Sequence, residues 1–146
     1  QLAGFEYSDE TKFPRATNIT YLGKFERAHV SKLIKQCDVM VSPRLTSKVS
    51  ELQYPQKLSE YLAAGRPIIA FNTSDQKLII NKAHAGFVIE KESAKDLADA
   101  IETFSRLPIE NQNELGRNAA QFAEANFSMS VFSKKLENIY RKLSNL

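Results

Sequence analysis

Residues 54–71 read Tyr-Pro-Gln-Lys-Leu-Ser-Glu-Tyr-Leu-Ala-Ala-Gly-Arg-Pro-Ile-Ile-Ala-Phe, and they carry the clearest evidence for the fold class. Proline is well tolerated at the start of a helix, while glycine followed by proline is typical of a helix end. The pattern therefore predicts a helix from Pro55 to Ala64, with Leu58, Tyr61 and Leu62 on its inner face. The continuous apolar run from Pro67 to Phe71 predicts a buried strand directly after it.

The rest of the chain repeats this alternation of strands and helices. Apolar or β-rich runs predict strands at 18–22, 38–42 and 86–90. Apolar residues at spacings of three and four predict helices at 26–36, 76–83, 93–104, 110–126 and 129–143. Apolar strands alternating with helices are typical of a parallel sheet covered on both faces. The predicted fold class is α/β, a Rossmann-like doubly wound parallel sheet with helices on both faces and a helical carboxyl terminus.

Composition and net charge limit the classes of function that the chain can have. The 146 residues suffice for one domain, 1–146, and the net charge of +3 accommodates an anionic ligand without requiring one. No basic run is dense enough for nucleic acid, and no apolar run is long enough for a transmembrane helix. Cys37 is the only cysteine, which fits a reducing compartment and a cytoplasmic location. His29 and His84 stand alone in the sequence, so no metal site and no cofactor are predicted.

The start of the helix at Pro55 has the character of an anion site. The amides of Gln56, Lys57 and Leu58 are expected to lack helical partners, and the helix dipole adds positive potential there. The Lys57 ammonium can add a charge-assisted contact. The Glu60 side chain leans back toward this end and could accept two neighbouring hydroxyl groups of a pentose. The alternative is an ordinary solvated helix face, which the residue types alone do not exclude.

Four separated blocks resemble the C-terminal, donor-binding domain of GT-B retaining glycosyltransferases of the group-1 type. They are Asn-Ile-Thr-Tyr-Leu-Gly at 18–23, Cys-Asp-Val-Met-Val-Ser-Pro at 37–43, the block at 54–70, and Ala-Gly-Phe-Val-Ile at 85–89. The resemblance implies transfer of a sugar, with retention, from a nucleotide-sugar to a glycan, lipid-linked or protein acceptor. UDP- or GDP-linked sugars are the preferred donors, and no metal is implied.

The resemblance also assigns site residues. It implies that Glu60 binds the ribose, that the amides at 56–58 hold the diphosphate, and that Lys57 stabilises its charge. It implies that the base lies near Gly23, Lys24 and Phe25. The full set of predicted substrate-binding residues lies after two predicted strands and at the start of the helix that begins at Pro55: Gly23, Lys24, Phe25, Ser42, Arg44, Tyr54, Pro55, Gln56, Lys57, Leu58 and Glu60.

One departure from the family pattern leaves alternatives open. Many members carry a second glutamate eight positions before the ribose-binding one, where this chain has Leu52, and Glu51 lies one residue further back. Glu51 is thus a candidate catalytic or sugar-binding residue, but an inactive glycosyltransferase-like interaction or chaperone subunit stays possible. A sugar-nucleotide epimerase of the same architecture is the nearer alternative.

The chain is expected to be a fragment of a longer parent. The acceptor-binding N-terminal domain of the family and the first strand of the donor domain have no counterpart in these residues. The N-terminal domain is therefore the expected partner, and the fragment alone is expected to be inactive. The basic terminal helix, Lys134 to Lys142, leaves open a peripheral contact with the inner face of the membrane.

Overall fold

The computed structural model describes residues 16–23 and 25–144. The chain divides into two compact units, residues 1–33 and 34–146. In the first unit, a turn at 17–18 is closed by a hydrogen bond from the Ile19 amide to the Ala16 carbonyl, 3.0 Å. Helix α1, Arg27–Ile34, begins in this unit. It is shorter than the predicted 26–36, and its least exposed residues follow the predicted apolar spacing.

The predicted strand at 18–22 is not formed. Within this run, Tyr21 alone takes part in a β-bridge, and the other residues are irregular or in a turn. Ile19 is 37% exposed, so the run lacks the buried face that stabilises a strand. Gly23, at φ +73°, ends the run as predicted, because glycine enters the left-handed region at little cost.

The second unit is built on a three-stranded parallel sheet. The strands β1, Met40–Ser42, β2, Ile68–Phe71, and β3, Gly86–Ile89, lie in the order β1-β2-β3. Every residue of the central strand β2 is buried. Parallel strands require crossover helices, and α4, Gln76–Ala83, supplies the connection between β2 and β3. The predicted α/β class with a parallel sheet is confirmed.

Helices pack on both faces of this sheet. Ile68 and Ala70 face a core formed with α4, with α3, Gln56–Ala63, and with α6, Ile109–Phe127. Ile69 and Phe71 face the other way and pack with Phe104 of α5, Ala94–Ser105. The alternation along β2 is the period of two that a strand imposes. The predicted doubly covered sheet is therefore present.

Helix α3 ends as the sequence predicts. Gly65 has φ +67°, and its amide donates to the Leu62 carbonyl at 2.9 Å. The Arg66 amide donates to the Tyr61 carbonyl at 3.1 Å, so two carbonyls of the last turn are satisfied. Leu58 and Leu62 are buried and Tyr61 packs against the same core, which confirms the predicted inner face.

Two helical predictions were wrong. Residues 44–53, for which no helix was predicted, contain a short helix α2, Lys48–Leu52, held by a capping box between Ser47 and Ser50. The final helix α7, Met129–Ser144, buries no residue within the described chain. The apolar spacing that predicted this helix also predicts a face that points inward, but the members of that face are 41% to 65% exposed: Leu136, Ile139, Tyr140 and Leu143. Among the described helices none is both long and apolar enough to cross a membrane.

Candidate functional site

A cleft opens in the second unit at the carboxyl edge of the sheet. Its volume is about 660 Å³, and it lies between the end of β1 and the start of α3. This is where the connections of a doubly wound sheet leave room for ligands. The lining residues are Val41, Ser42, Pro43, Arg44, Gln53, Tyr54, Pro55, Gln56, Lys57, Leu58 and Tyr61.

The cleft brings together two groups of predicted site residues that are distant in the sequence. Ser42 and Arg44 come from the end of β1, and the segment 54–58 comes from the start of α3. Arg44 and Lys57 form no ion pair within the described residues, and both line the cleft. Two cations without a carboxylate partner favour an anionic ligand there.

The backbone at the start of α3 offers fewer donors than predicted. Pro55 has φ −77° and ψ 77°, the geometry of an inverse γ-turn, so the Gln56 amide donates to the Tyr54 carbonyl at 2.9 Å. The Leu58 amide donates to the Pro55 carbonyl at 2.9 Å. The expectation that both amides are free was therefore wrong. Among the described residues, the Lys57 amide has no acceptor.

Arg44 is held in the cleft wall by Gln53. Its Nη2 donates to Gln53 Oε1 at 2.8 Å, and its Nη1 lies 3.3 Å from the Gln53 carbonyl oxygen. These contacts use two of the five N–H donors of the guanidinium group, which leaves further donors for a ligand. Nothing in the sequence indicates Gln53 as a supporting residue, since it lies in a segment for which no strand or helix was predicted.

The turn between β2 and α4 supports the same wall and was not predicted in this role. Thr73 Oγ1 donates to the Arg44 carbonyl at 2.7 Å, and Ser42 Oγ donates to Gln76 Oε1 at 2.5 Å. Thr73 and Gln76 are both fully buried. A buried polar side chain is stable only when it is hydrogen-bonded, so these contacts fix the segment from Ser42 to Arg44. Their sequence signal is a run of five polar residues, 72–76, directly after an apolar strand.

The two predicted carboxylates lie outside the lining of the cleft. Glu51 is exposed, and its Oε1 accepts a hydrogen bond from the Ser74 amide at 3.1 Å. Glu60 is exposed on α3 and acts electrostatically on Tyr61, which lines the cleft. Burial raises the pKa of the Tyr61 hydroxyl above its ordinary value of 10.0, and the charges of Glu60 and Cys37 raise it further.

The predicted base-binding residues belong to the first unit. Apart from its chain neighbours, no atom of the described residues lies within 4 Å of the position that a Cβ on Gly23 would occupy, and Phe25 is half-buried. Lys24 lies outside the described residues. Within the parts of the chain that the structure describes, no group of three or more histidine, cysteine, aspartate or glutamate side chains could hold a metal ion.

Comparison with known families identifies the chain. Residues 11–122 match the family described as glycosyl transferases group 1, which covers more than half of the sequence. The chain belongs to this glycosyltransferase family. The matched segment contains all three strands and the entire lining of the cleft.

Individual relatives support the family and the fold. The chain is 22% identical over 121 residues to Escherichia coli (strain K12) WcaL, named as a colanic acid biosynthesis glycosyltransferase, with 82% of this chain and 30% of the relative covered. It is 25% identical over 125 residues to the alpha-D-kanosaminyltransferase of Streptomyces kanamyceticus, with 86% and 31% covered. The chain thus spans less than a third of the length of either relative.

A solved structure shares the fold. Sucrose-phosphate synthase from Thermosynechococcus elongatus superposes with a TM-score of 0.67 at 21% identity, over 86% of this chain and 30% of that chain. The parallel sheet with its covering helices is therefore the architecture of a GT-B type glycosyltransferase domain.

Proposed function

We propose that the chain is the donor-binding half of a retaining glycosyltransferase and binds a nucleotide-sugar in the cleft at the carboxyl edge of the sheet. One observation carries this proposal: the cleft joins Ser42 and Arg44 of one strand end to the start of α3, with two cations that lack a carboxylate partner in the described residues. Membership of the glycosyltransferase family supports a nucleotide-sugar as the anionic ligand of this cleft.

The diphosphate lies between Arg44 and Lys57. The Lys57 amide and the dipole of α3 add to the positive potential at this point. During transfer the bond between the sugar and the diphosphate breaks, and negative charge grows on the leaving oxygen. Preorganised cations stabilise that charge without a metal ion, which gives Lys57 its proposed catalytic role.

The remaining site residues are assigned by the family pattern. Glu60 accepts the pentose hydroxyls, and Glu51 approaches the transferred sugar. A UDP- or GDP-linked donor is preferred. Because the relatives are about three times longer, a further domain of the parent supplies the acceptor site. The isolated chain then binds the donor and transfers nothing, and the parent acts in the cytoplasm at or near the membrane.

Nucleotide titration tests the proposal. UDP, GDP and ADP are added to the chain and binding is followed by ligand-observed NMR. We expect one nucleoside diphosphate to bind, and Lys57→Ala to weaken it about tenfold, since a hydrogen bond to a charged group contributes about 1.5 kcal/mol or more. Glu60→Ala should weaken the binding of the nucleoside diphosphate but leave the binding of inorganic pyrophosphate unchanged, because the carboxylate contacts the pentose.

Matched controls separate the site from general charge effects. Lys134 and Glu124 are exposed on α7 and α6, remote in sequence from the cleft residues. Lys134→Ala and Glu124→Ala should leave affinity unchanged. If no nucleotide binds to the folded chain, the proposal fails and an interaction subunit is favoured. Donor hydrolysis by the full-length parent distinguishes a transferase from an inactive relative or an epimerase.

A further inference from the structure

The buried amide of Gln76 has a defined orientation. Its nitrogen Nε2 lies 3.1 Å from the Phe71 carbonyl oxygen, and its side chain is fully buried. A backbone carbonyl can only accept a hydrogen bond, so the amide nitrogen must face Phe71. The amide oxygen Oε1 then faces Ser42, which fixes the orientation of the group by its hydrogen-bond network.

This orientation fixes the proton of Ser42. Because Gln76 Oε1 can only accept, the Ser42 hydroxyl must donate to it across the 2.5 Å that separates the two oxygens. A hydroxyl has one proton and two lone pairs. Because its proton is directed toward Gln76, the Ser42 hydroxyl can act only as an acceptor toward a ligand in the cleft that Ser42 lines.

The cleft therefore offers hydrogen-bond donors and an acceptor at different, fixed positions. Arg44 and Lys57 present donors and positive charge, while Ser42 presents an acceptor. Thr73 fixes the wall between them, because its buried hydroxyl donates to the Arg44 carbonyl at 2.7 Å. Phosphate oxygens are acceptors and would meet the lone pairs of Ser42 unfavourably. A ligand hydroxyl group can donate to them.

We propose that Ser42 is a specificity-determining acceptor for a sugar hydroxyl of the ligand, and that Gln76 is the positioning residue that holds the Ser42 proton away from the cleft. The inference rests on the proposed function, because it places the sugar part of a nucleotide-sugar beside Ser42 and the diphosphate beside the cations. The hydroxyl comes either from the pentose or from the transferred sugar.

Substitution of Ser42 tests the acceptor. The probes are inorganic pyrophosphate, the best-binding nucleoside diphosphate, its 2′-deoxy form and its hexose ester. Ser42→Ala should weaken the binding of a hydroxyl-bearing probe about fivefold, as expected for the loss of one neutral hydrogen bond. The affinity for pyrophosphate should stay within about twofold of the wild-type value. A loss for the ribonucleotide that disappears with the 2′-deoxy form identifies the pentose. A loss confined to the hexose ester identifies the transferred sugar.

Substitution of Gln76 tests the positioning. Gln76→Met keeps the length of the side chain but removes the acceptor, so the Ser42 hydroxyl becomes able to donate into the cleft. We expect pyrophosphate to bind more tightly relative to the hydroxyl-bearing probe than it does to the wild type. Gln121→Met, at an exposed position of α6, is the matched control. Unfolding curves of each variant establish that the compared proteins are folded.

The outcomes distinguish this inference from the proposed function. If the wild type binds no probe, both fail. If Lys57→Ala weakens binding while Ser42→Ala weakens every probe equally, or none, the nucleotide site stands and the acceptor role of Ser42 is overturned. A folded Gln76→Met variant with the selectivity of the wild type overturns the positioning role.

Discussion

Glu51 Oε1 accepts a hydrogen bond from the backbone amide of Ser74, with the two atoms 3.1 Å apart. Ser74 has φ +54°, a left-handed conformation that costs a serine about 1 kcal/mol or more. The Ser74 hydroxyl also donates to the Gln53 carbonyl at 3.1 Å. The carboxylate thus joins α2 to the turn after β2, and this turn supports the cleft wall. Glu51 has a structural role that is separate from its proposed contact with the sugar.

The structural role predicts a difference between two substitutions of Glu51. Glu51→Ala removes the acceptor and should lower the free energy of unfolding by about 1 kcal/mol. Glu51→Gln keeps an oxygen for the Ser74 amide and should stay close to the wild type. Urea denaturation measures both. Equal destabilisation by alanine and glutamine would show that the charge of Glu51, and not its acceptor oxygen, stabilises the turn.

Gly86 is required by the close approach of two strands. A Cβ at this position would lie 1.8 Å from the Ile68 carbonyl oxygen, and φ is +155°. Because backbone atoms of the central strand cannot move away without breaking the sheet, Gly86→Ala should destabilise the chain by about 4 kcal/mol or more. Urea denaturation, or recovery of folded protein if the loss exceeds the total stability, measures the effect.

Gly23 provides the matched comparison for Gly86. Its φ is +73°, but among the residues that the structure describes no atom outside its chain neighbours lies within 4 Å of the position of an added Cβ. Gly23→Ala should therefore cost only the conformational penalty of the left-handed region, about 1 kcal/mol. If the two substitutions destabilised the chain equally, steric overlap at Gly86 would not be the cause.

The sequence predicted the elements whose ends carry strong local signals. Pro55 and Gly65 bound α3 within one residue of the prediction, since proline restricts the backbone and glycine enters the left-handed region cheaply. The Ser93 hydroxyl accepts from the Asp96 amide at 3.0 Å and caps α5, which begins at Ala94, within one residue of the predicted start. Helix α2 was missed because Ser50, and not glutamate or glutamine, completes its capping box.

The supporting contacts of the site could not be predicted in the same way. Ser42 and Gln76 are 34 residues apart, and their contact depends on the pairing of Ser42 with Ala70 in adjacent strands. The γ-turn at Pro55, which engages the Gln56 amide, depends on a ψ angle that proline leaves free. Sequence periodicity locates elements and faces, whereas these contacts depend on tertiary geometry.

A surface network predicts a specific pH dependence of stability. Hydrogen bonds from Lys77 and Asn72 hold the pKa of Glu90 below its ordinary value of 4.5. The network therefore stabilises the fold above pH 4.5, and this contribution is lost as the pH falls from there through the lowered pKa. Urea midpoints measured between about pH 6 and pH 3 should fall less steeply for Glu90→Gln than for the wild type.

A second variant and salt test the origin of the Glu90 effect. Lys77 Nζ lies 2.7 Å from Glu90 Oε1, and both side chains are largely exposed. Lys77→Met should likewise make the urea midpoint fall less steeply between about pH 6 and pH 3. Added salt should reduce the difference in this slope between wild type and variants, because exposed charges are screened. If the urea midpoints of both variants fell with pH as steeply as those of the wild type, the Lys77–Glu90 pair would be excluded as the cause of the fall.

The position of Glu60 relative to the cleft can be measured through Tyr61. Burial raises the pKa of the Tyr61 hydroxyl, and the Glu60 carboxylate raises it further because two negative charges repel. Glu60→Gln should therefore move the Tyr61 pKa downward, toward 10.0. Tyrosine ring carbons labelled with ¹³C report the titration by NMR, with Tyr61→Phe assigning the signal and Glu124→Gln as the charge control.

If the Tyr61 pKa were the same in Glu60→Gln as in the wild type, the Glu60 carboxylate would point away from the cleft. That result would remove its proposed contact with the pentose.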